Sequence, residues 1–358
     1  MVDKASGQKQ AFEETLSQSD GSVAAFDEHE KSPLRRLQHL LHSNPALVPL
    51  IILVVSVLVF GLIVGPRFFS AFTLTLILQQ VAITGIVGAA QTLIILTAGI
   101  DLSVGAIMVL TSVVMGQFAV NYGLPAPVAI ACGLAVGALC GAINGVLVAK
   151  VKLPPFIVTL GTWSIFLAAN FIYSGNETIR SQDLTAAAPL LQFFGTSFKI
   201  GGAVFTYGVV LMVLLAAVLW YILNQTAWGR HLYAVGDDPE AAQLSGVRVS
   251  RMLISVYTLC GLICGLAGWA LIGRIGSVSP QAGQFENINS ITAVVIGGTS
   301  LFGGRGSILG TLFGAIIVGV FGLGLRLWGT DPQWTQLTVG LLIIVAVAID
   351  QWIRRISA

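Results

Sequence analysis

The sequence predicts an all-α integral membrane protein of about ten transmembrane helices, with both termini cytoplasmic and glycine-rich helix packing. Three observations carry that expectation. Apolar residues fill 55% of the 358 positions and Asp, Glu, Lys and Arg only 9%, against roughly 25% charged residues in a soluble domain; a water-facing surface cannot be built from this. Of the 34 charged residues, 12 crowd into residues 1–44, which leaves the rest of the chain to be solvated by lipid. Stretches of the ~20 residues that a membrane-crossing helix needs, uncharged except for Asp350 at the end of the last, recur along that remainder. The runs are continuously apolar rather than alternating, which excludes a transmembrane β-barrel.

The stretches fall near 47–65, 74–97, 102–120, 126–148, 155–174, 204–223, 252–273, 288–304, 307–325 and 334–351. The eighth is short and rich in glycine, so it is a full span or a re-entrant or broken helix. Lys and Arg set the orientation. Ten crossings with both termini inside place thirteen basic residues on the inner side and five (Arg67, Arg180, Lys199, Arg274 and Arg326) on the outer side. Residues 1–31 are polar and too poor in apolar groups to order themselves, so a disordered cytoplasmic tail is expected. Residues 32–44 open with Ser32-Pro33 and set Leu34, Leu37, Leu40 and Leu41 against Arg35, Arg36, Gln38 and His39. This reads as an interfacial amphipathic helix or as an extension of the first span. A cleaved leader is not expected, because the first apolar run starts some 46 residues in without a small-residue cleavage pattern. Residues 45–353 form the membrane domain.

Several function classes drop out. A net charge of +2 without a basic stripe interleaved with aromatics excludes nucleic acid as a partner. His29, His39, His42 and His231 all lie outside the spans. Cys132, Cys140, Cys260 and Cys264 sit inside apolar runs, where Cys packs as a small hydrophobe. No metal site, nucleophile set or other enzyme constellation is therefore expected. Nor is there a Gly-Lys pair anywhere, so no phosphate-cradling loop exists in this chain.

Two polar connections stand out, an outer one at 175–203 and an inner one at 224–251. In the inner connection Asp238 suits a helix N-cap, Pro239 the first helical position, Glu240 the positive end of the dipole and Gly246 the helix end. A helix so short is marginal alone; it docks against a partner or is a plain surface loop. Gly236 to Val247, with Ala241, Ala242, Ser245 and Gly246 in place, resembles the G-x-N-x-x-A-A-x-x-S-G-[IV] loop of the permease subunits of bacterial ribose, xylose, arabinose, galactose and fructose ABC importers. Thr97-Ala98-Gly99-Ile100-Asp101-Leu102-Ser103-Val104-Gly105 and Gly303-Gly304-Arg305-Gly306-Ser307, with Gly310-Thr311, carry the same resemblance. It extends over nearly the whole chain from about residue 45.

The resemblance implies a multi-pass protein of the bacterial inner membrane through which a monosaccharide is imported. It implies a second permease chain, as a homodimer surrounded by lipid, and a coupling helix in 224–251 seated on a separate ABC ATPase. It further implies a periplasmic sugar-binding protein, no cofactor on this chain, and ATP used by the partner subunit. The sugar itself is not fixed. The alternative is an ion-coupled secondary sugar transporter, but such carriers bury ionisable groups in their helices, and here those are almost missing.

Candidate site residues follow from the same pattern. Asp101, followed by Leu102 and Ser103, either caps the third helix or serves as a gate or ion-coupling carboxylate. Gln80, Thr84 and Gln91 share a face of the second span, Thr159, Trp163 and Asn170 a face of the fifth, and Asn144 sits in the fourth. Together they line a sugar pathway or simply bond between packed helices. Gly133, Gly137 and Gly141, Gly261 and Gly265, and Gly306, Gly310 and Gly314 have the small-x-x-x-small spacing that lets helix backbones approach. Arg305 reads as a snorkelling anchor in preference to a ligand.

Overall fold

Small capping residues and apolar lengths set the helices. The computed structural model describes residues 47–200 and 202–357; the predicted tail 1–31 and interfacial helix 32–44 lie outside the described residues. Among those described, the chain forms α1 (Leu47–Val64), α2 (Ala71–Leu96), α3 (Val104–Gly116), α4 (Ala126–Ala149), α5 (Pro155–Ser174) and α6 (Ser181–Ala187). There follow strands β1 (Ser197–Ile200) and β2 (Ala203–Thr206), then α7 (Tyr207–Gln225), α8 (Ala227–Asp237), α9 (Pro239–Leu244), α10 (Val249–Ile275), α11 (Glu286–Ile296), α12 (Ile308–Trp328) and α13 (Pro332–Ser357). Ser70 caps α2 by accepting the Thr73 N–H, Thr226 caps α8 through Gly229, and Ser307 caps α12 through Gly310. Each satisfies an N–H that the helix cannot.

Eight helices (α1, α2, α3, α4, α5, α7, α10 and α12) are long and apolar enough to cross a membrane, with α3 continued to Asn121 by a wide turn. The helix α13 carries a further apolar stretch, Gln333–Val345. Nine of the ten predicted windows thus coincide with helices. The eighth is not a helix of span length: only Glu286–Ile296 is helical, about 16 Å at 1.5 Å per residue, or half of the ~30 Å hydrocarbon layer. Residues 276–285 lead into it as a series of turns and the glycine-rich turn 297–307 leads out.

Two further departures from the sequence reading concern the polar connections. Residues 204–206, expected to begin the sixth span, belong with Ala203 to the second strand of a hairpin in the register Ser197↔Thr206 to Ile200↔Ala203. The hairpin is tied to α2, since Thr75 Oγ1 accepts the Val204 N–H at 2.8 Å. The 224–251 connection holds two helices, α8 and α9, where one was expected.

At the centre, α10 packs on α4, α3 and α2, while α12 packs on α2, α11 and α1. Glycine makes both seams. A Cβ on Gly137 would lie 2.5 Å from the Gly261 carbonyl oxygen, and one on Gly141 would be driven into the carbonyl of Tyr257. Across the second seam, Gly310 and Gly314 abut the carbonyls of Gly297 and Ala293. Cys140, Cys260 and Cys264 are buried and unpaired. Large apolar side chains stand outward, Leu62 at 86% and Ile172 at 82% exposure, as lipid contact requires.

Because backbone rather than a flexible side chain must move, Gly141→Val is expected to cost at least the ~1–3 kcal/mol of ordinary overpacking and to lower the unfolding midpoint in detergent. Gly161→Ala, with nothing within 4 Å of its added carbon, should leave that midpoint unchanged.

Candidate functional site: the helix breaks and the α8–α9 hairpin

The three segments with recognisable motifs meet at one point. Gly236, in the last turn of α8, is buried so closely against the Leu96 carbonyl and the Gly304 amide that a side chain there would overlap both. Gly304 donates its N–H to Leu96 O at 3.0 Å. The hydroxyl of Tyr233 donates to Gly306 O at 2.9 Å, and burial pushes this phenol's pKa up, so it stays a donor at physiological pH. Gly303 and Gly304 hold φ of +84° and +69°, a region where only glycine is unstrained. A Cβ on Gly303 would also strike Gly236 O and lie 3.0 Å from that of Ala98.

Beyond this junction the α8–α9 hairpin turns outward. Asp238 accepts the N–H groups of Glu240 and Ala241 at 2.9 and 3.0 Å, Pro239 opens α9 and Gly246 follows it at φ +90°, as the sequence pattern predicts. Ala242 faces inward at 5% exposure, whereas Ala241, Ser245 and Leu244 are exposed, Leu244 at 90%. Gly236 therefore belongs to the buried root of the hairpin, and Asp238 to Gly246 to its free end.

On the other side of the junction, residues 97–103 turn the chain between α2 and α3. Asp101 Oδ1 accepts both the N–H and the hydroxyl of Ser103 at 2.6 Å, which closes the turn ahead of α3. Asn144 on α4 donates to Ser103 Oγ at 2.9 Å, and Thr159 on α5 donates to Ile100 O at 2.9 Å. All four side chains are buried. The structure thus brings Asp101, Ser103, Asn144 and Thr159 together as the fastening of one turn.

A second buried carboxylate was not singled out from the sequence. Glu286 opens α11 and accepts the Thr84 hydroxyl at 3.0 Å, with the Arg274 charge nearby. Its neighbour Asn287 reaches the Leu102 carbonyl at 3.5 Å and packs on Gly105. The available signal was that Glu286 is the only acid between Glu240 and Asp331. Asn170 donates to Pro280 O at 2.8 Å, so Thr84 and Asn170 both fasten the segment that leads into α11. Gln80 is half-buried beside Gly322, Gln91 is fully buried with neither amide atom bonded, and Trp163 is half-buried against the core. Among the described residues these three form no hydrogen bond with either group. No cluster of three or more His, Cys, Asp or Glu able to hold a metal occurs among the described residues.

Comparison with known proteins agrees with this architecture. Residues 73–347 match the family described as branched-chain amino acid transport system / permease component. The fructose import permease protein FrcC of Rhizobium meliloti is 73% identical, over 98% of this chain and 97% of that protein. The ribose import permease protein RbsC of Escherichia coli K12 is 38% identical, over 87% and 94%. The galactose/methyl galactoside import permease protein MglC of Haemophilus influenzae is 32% identical, over 83% and 92%. No solved structure matches the chain. Eight membrane-length helices and a family match across most of them lead to one conclusion: the chain belongs to this permease family, as a multi-pass membrane transport protein and not an enzyme.

Proposed function

We propose that this chain is the membrane subunit through which a monosaccharide crosses the bacterial inner membrane, with fructose the first sugar to test. ATP is hydrolysed on a separate ABC subunit and a periplasmic protein supplies the sugar. Relatives named as fructose, ribose and galactose import permeases support the class of substrate, and 73% identity to the first favours fructose.

One observation carries the mechanism. The hairpin α8–α9 is rooted in both the 96–98 and the 303–306 segments through Gly236 and Tyr233, so a displacement of its free end is delivered to two helix breaks at once. Leu244, with Ala241 and Ser245, is the exposed face offered to the ATPase. The chain holds no nucleotide-binding loop of its own, so this face is where force enters. The turn at Asp101 lies one residue beyond Ile100, held by Thr159, and passes that displacement to α3, α4 and α5. Gln80, Gln91 and Trp163 line the pathway, with their polar atoms left to exchange with sugar hydroxyls, and a second copy of the chain completes the transporter. The inner face is the one that carries α8 and α9, and the outer face carries the 175–206 connection.

Reconstituted with its ATPase and binding protein, the permease should accumulate labelled fructose only when ATP is supplied; uptake driven by an ion gradient without the ATPase would overturn the proposal. Leu244→Asp is expected to lower sugar-stimulated ATP hydrolysis by about tenfold, the loss of ~1.4 kcal/mol of docking energy, with no change in the yield of folded permease. Deletion of Pro239–Ser245 should abolish the stimulation. Asp101→Asn keeps an acceptor for Ser103 and should retain most uptake, whereas Asp101→Ala strands a buried N–H at ~1–3 kcal/mol and should lose folded protein. Loss of uptake by a stably folded Asp101→Asn form would make the negative charge itself essential.

A further inference from the structure

Polar groups of two separate spans bond the segment 276–286, one at its middle and one at its junction with α11. Asn170 of α5 gives its amide hydrogen to Pro280 O at 2.8 Å, and Thr84 of α2 gives its hydroxyl hydrogen to Glu286 at 3.0 Å. The Oδ1 of Asn170 is fully buried and accepts nothing. Neither bond is one that a helix needs for its own backbone. Both are bonds that a hydroxyl of a monosaccharide can take over at the same distance.

The outward end of this segment is fastened to the 175–206 connection. Ile179 and Val278 exchange two backbone hydrogen bonds, at 2.9 and 3.0 Å. Thr178 donates to Ser279 Oγ and Gln281 to Asn176 Oδ1, each at 3.4 Å. The segment is flanked and interrupted by Gly276 and Gly283, at φ +75° and +66°. By contrast, the far end of α11 is fixed by backbone contact with α12 at Gly310 and Gly314.

We propose that Val278–Glu286 is the outer gate of the pathway, latched shut by Asn170 and Thr84, and that these two side chains become contacts for the sugar's hydroxyls when it opens. The Ile179–Val278 bridge is the handle: a sugar-loaded binding protein seated on the 175–206 connection pulls the segment away as it delivers its cargo. The proposal rests on the transport function above and adds to it the location of the gate and the residues that hold it. When the latch opens, the sugar's hydroxyls replace the partners of Asn170 and Thr84, while the freed Pro280 carbonyl and Glu286 carboxylate move with the segment and are hydrated.

The test uses the complete complex in proteoliposomes. A Cβ built on Gly105 lies 3.5 Å from that of Asn287, just behind the gate, within the ~3.5–4.5 Å range of a disulfide. Gly105→Cys/Asn287→Cys should therefore join under oxidant, and uptake by the oxidised form should fall below about a tenth of that by the same preparation after reduction, with the wild-type chain and its four cysteines as oxidant control. Thr84→Val should raise efflux of labelled sugar from loaded vesicles, without ATP or binding protein, about threefold, the population shift worth one hydrogen bond in a membrane. Equal uptake by the oxidised and reduced forms, two thiols that do not join, or unchanged efflux from Thr84→Val would each overturn the gate. If the wild-type complex itself imports no sugar, the transport function falls and the gate with it; if it imports normally, the behaviour of the cross-linked form bears on the gate alone.

Discussion

A chain immersed in hydrocarbon has no water to satisfy a backbone group that a helix leaves free, and each such group costs several kcal/mol. This protein leaves helical structure at 97–103, 276–285 and 297–307, between apolar helices, and much of the backbone of these turns is paired from within. At the first, Thr97 and Gly99 return to the Ile94 carbonyl and Ser103 finds Asp101. At the second, Val278 pairs with Ile179. At the third, Ser300 bonds Arg305 O at 2.9 Å and Gly304 bonds Leu96 O. The last of these joins the first break to the third, and Gly236 joins both to α8. The convergence of the motifs is a consequence of that need.

Two strengths of contact divide the molecule. The glycine seams α4–α10 and α11–α12 bring backbone against backbone, and displacing them means losing many dispersion contacts together. The polar fastenings are single hydrogen bonds, worth on average roughly 0.6 kcal/mol each within a membrane. The seams form a stiff frame, while Thr84, Asn144, Thr159 and Asn170 hold parts that thermal energy and a modest external force can release. In the gate proposed above, Thr84 and Asn170 serve packing in the closed state and substrate in the open one, whereas Asn144 and Thr159 fasten the turn ahead of α3.

Most of the frame was legible in the sequence because apolar runs of span length admit one structure in lipid. The α9 cap was equally legible: Asp238, Pro239 and Gly246 each have a local conformational reason for their position. What escaped was set by distant contact. The β-hairpin straddles the end of a predicted loop and the start of a predicted span, and only its pairing and the Thr75 bond define it. The helix α8 lacks a membrane-length run. Glu286 stood outside a window drawn on hydropathy, and its burial depends on Thr84, some 200 residues away. Gln80, Thr84 and Gln91 share a helical face by spacing, yet the structure gives them different surroundings, because a face of α2 meets several neighbours along its length.

Hydrogen exchange on the nanodisc-embedded permease, resting and turning over with ATPase, binding protein and sugar, tests most directly the claim that internally closed breaks lie on a stiff frame. The amides of α4 and α10 should stay protected in both conditions, while those of 278–286 and 297–306 should exchange faster during turnover. Uniform protection that turnover does not alter, or faster exchange along α4 and α10 instead, would contradict it.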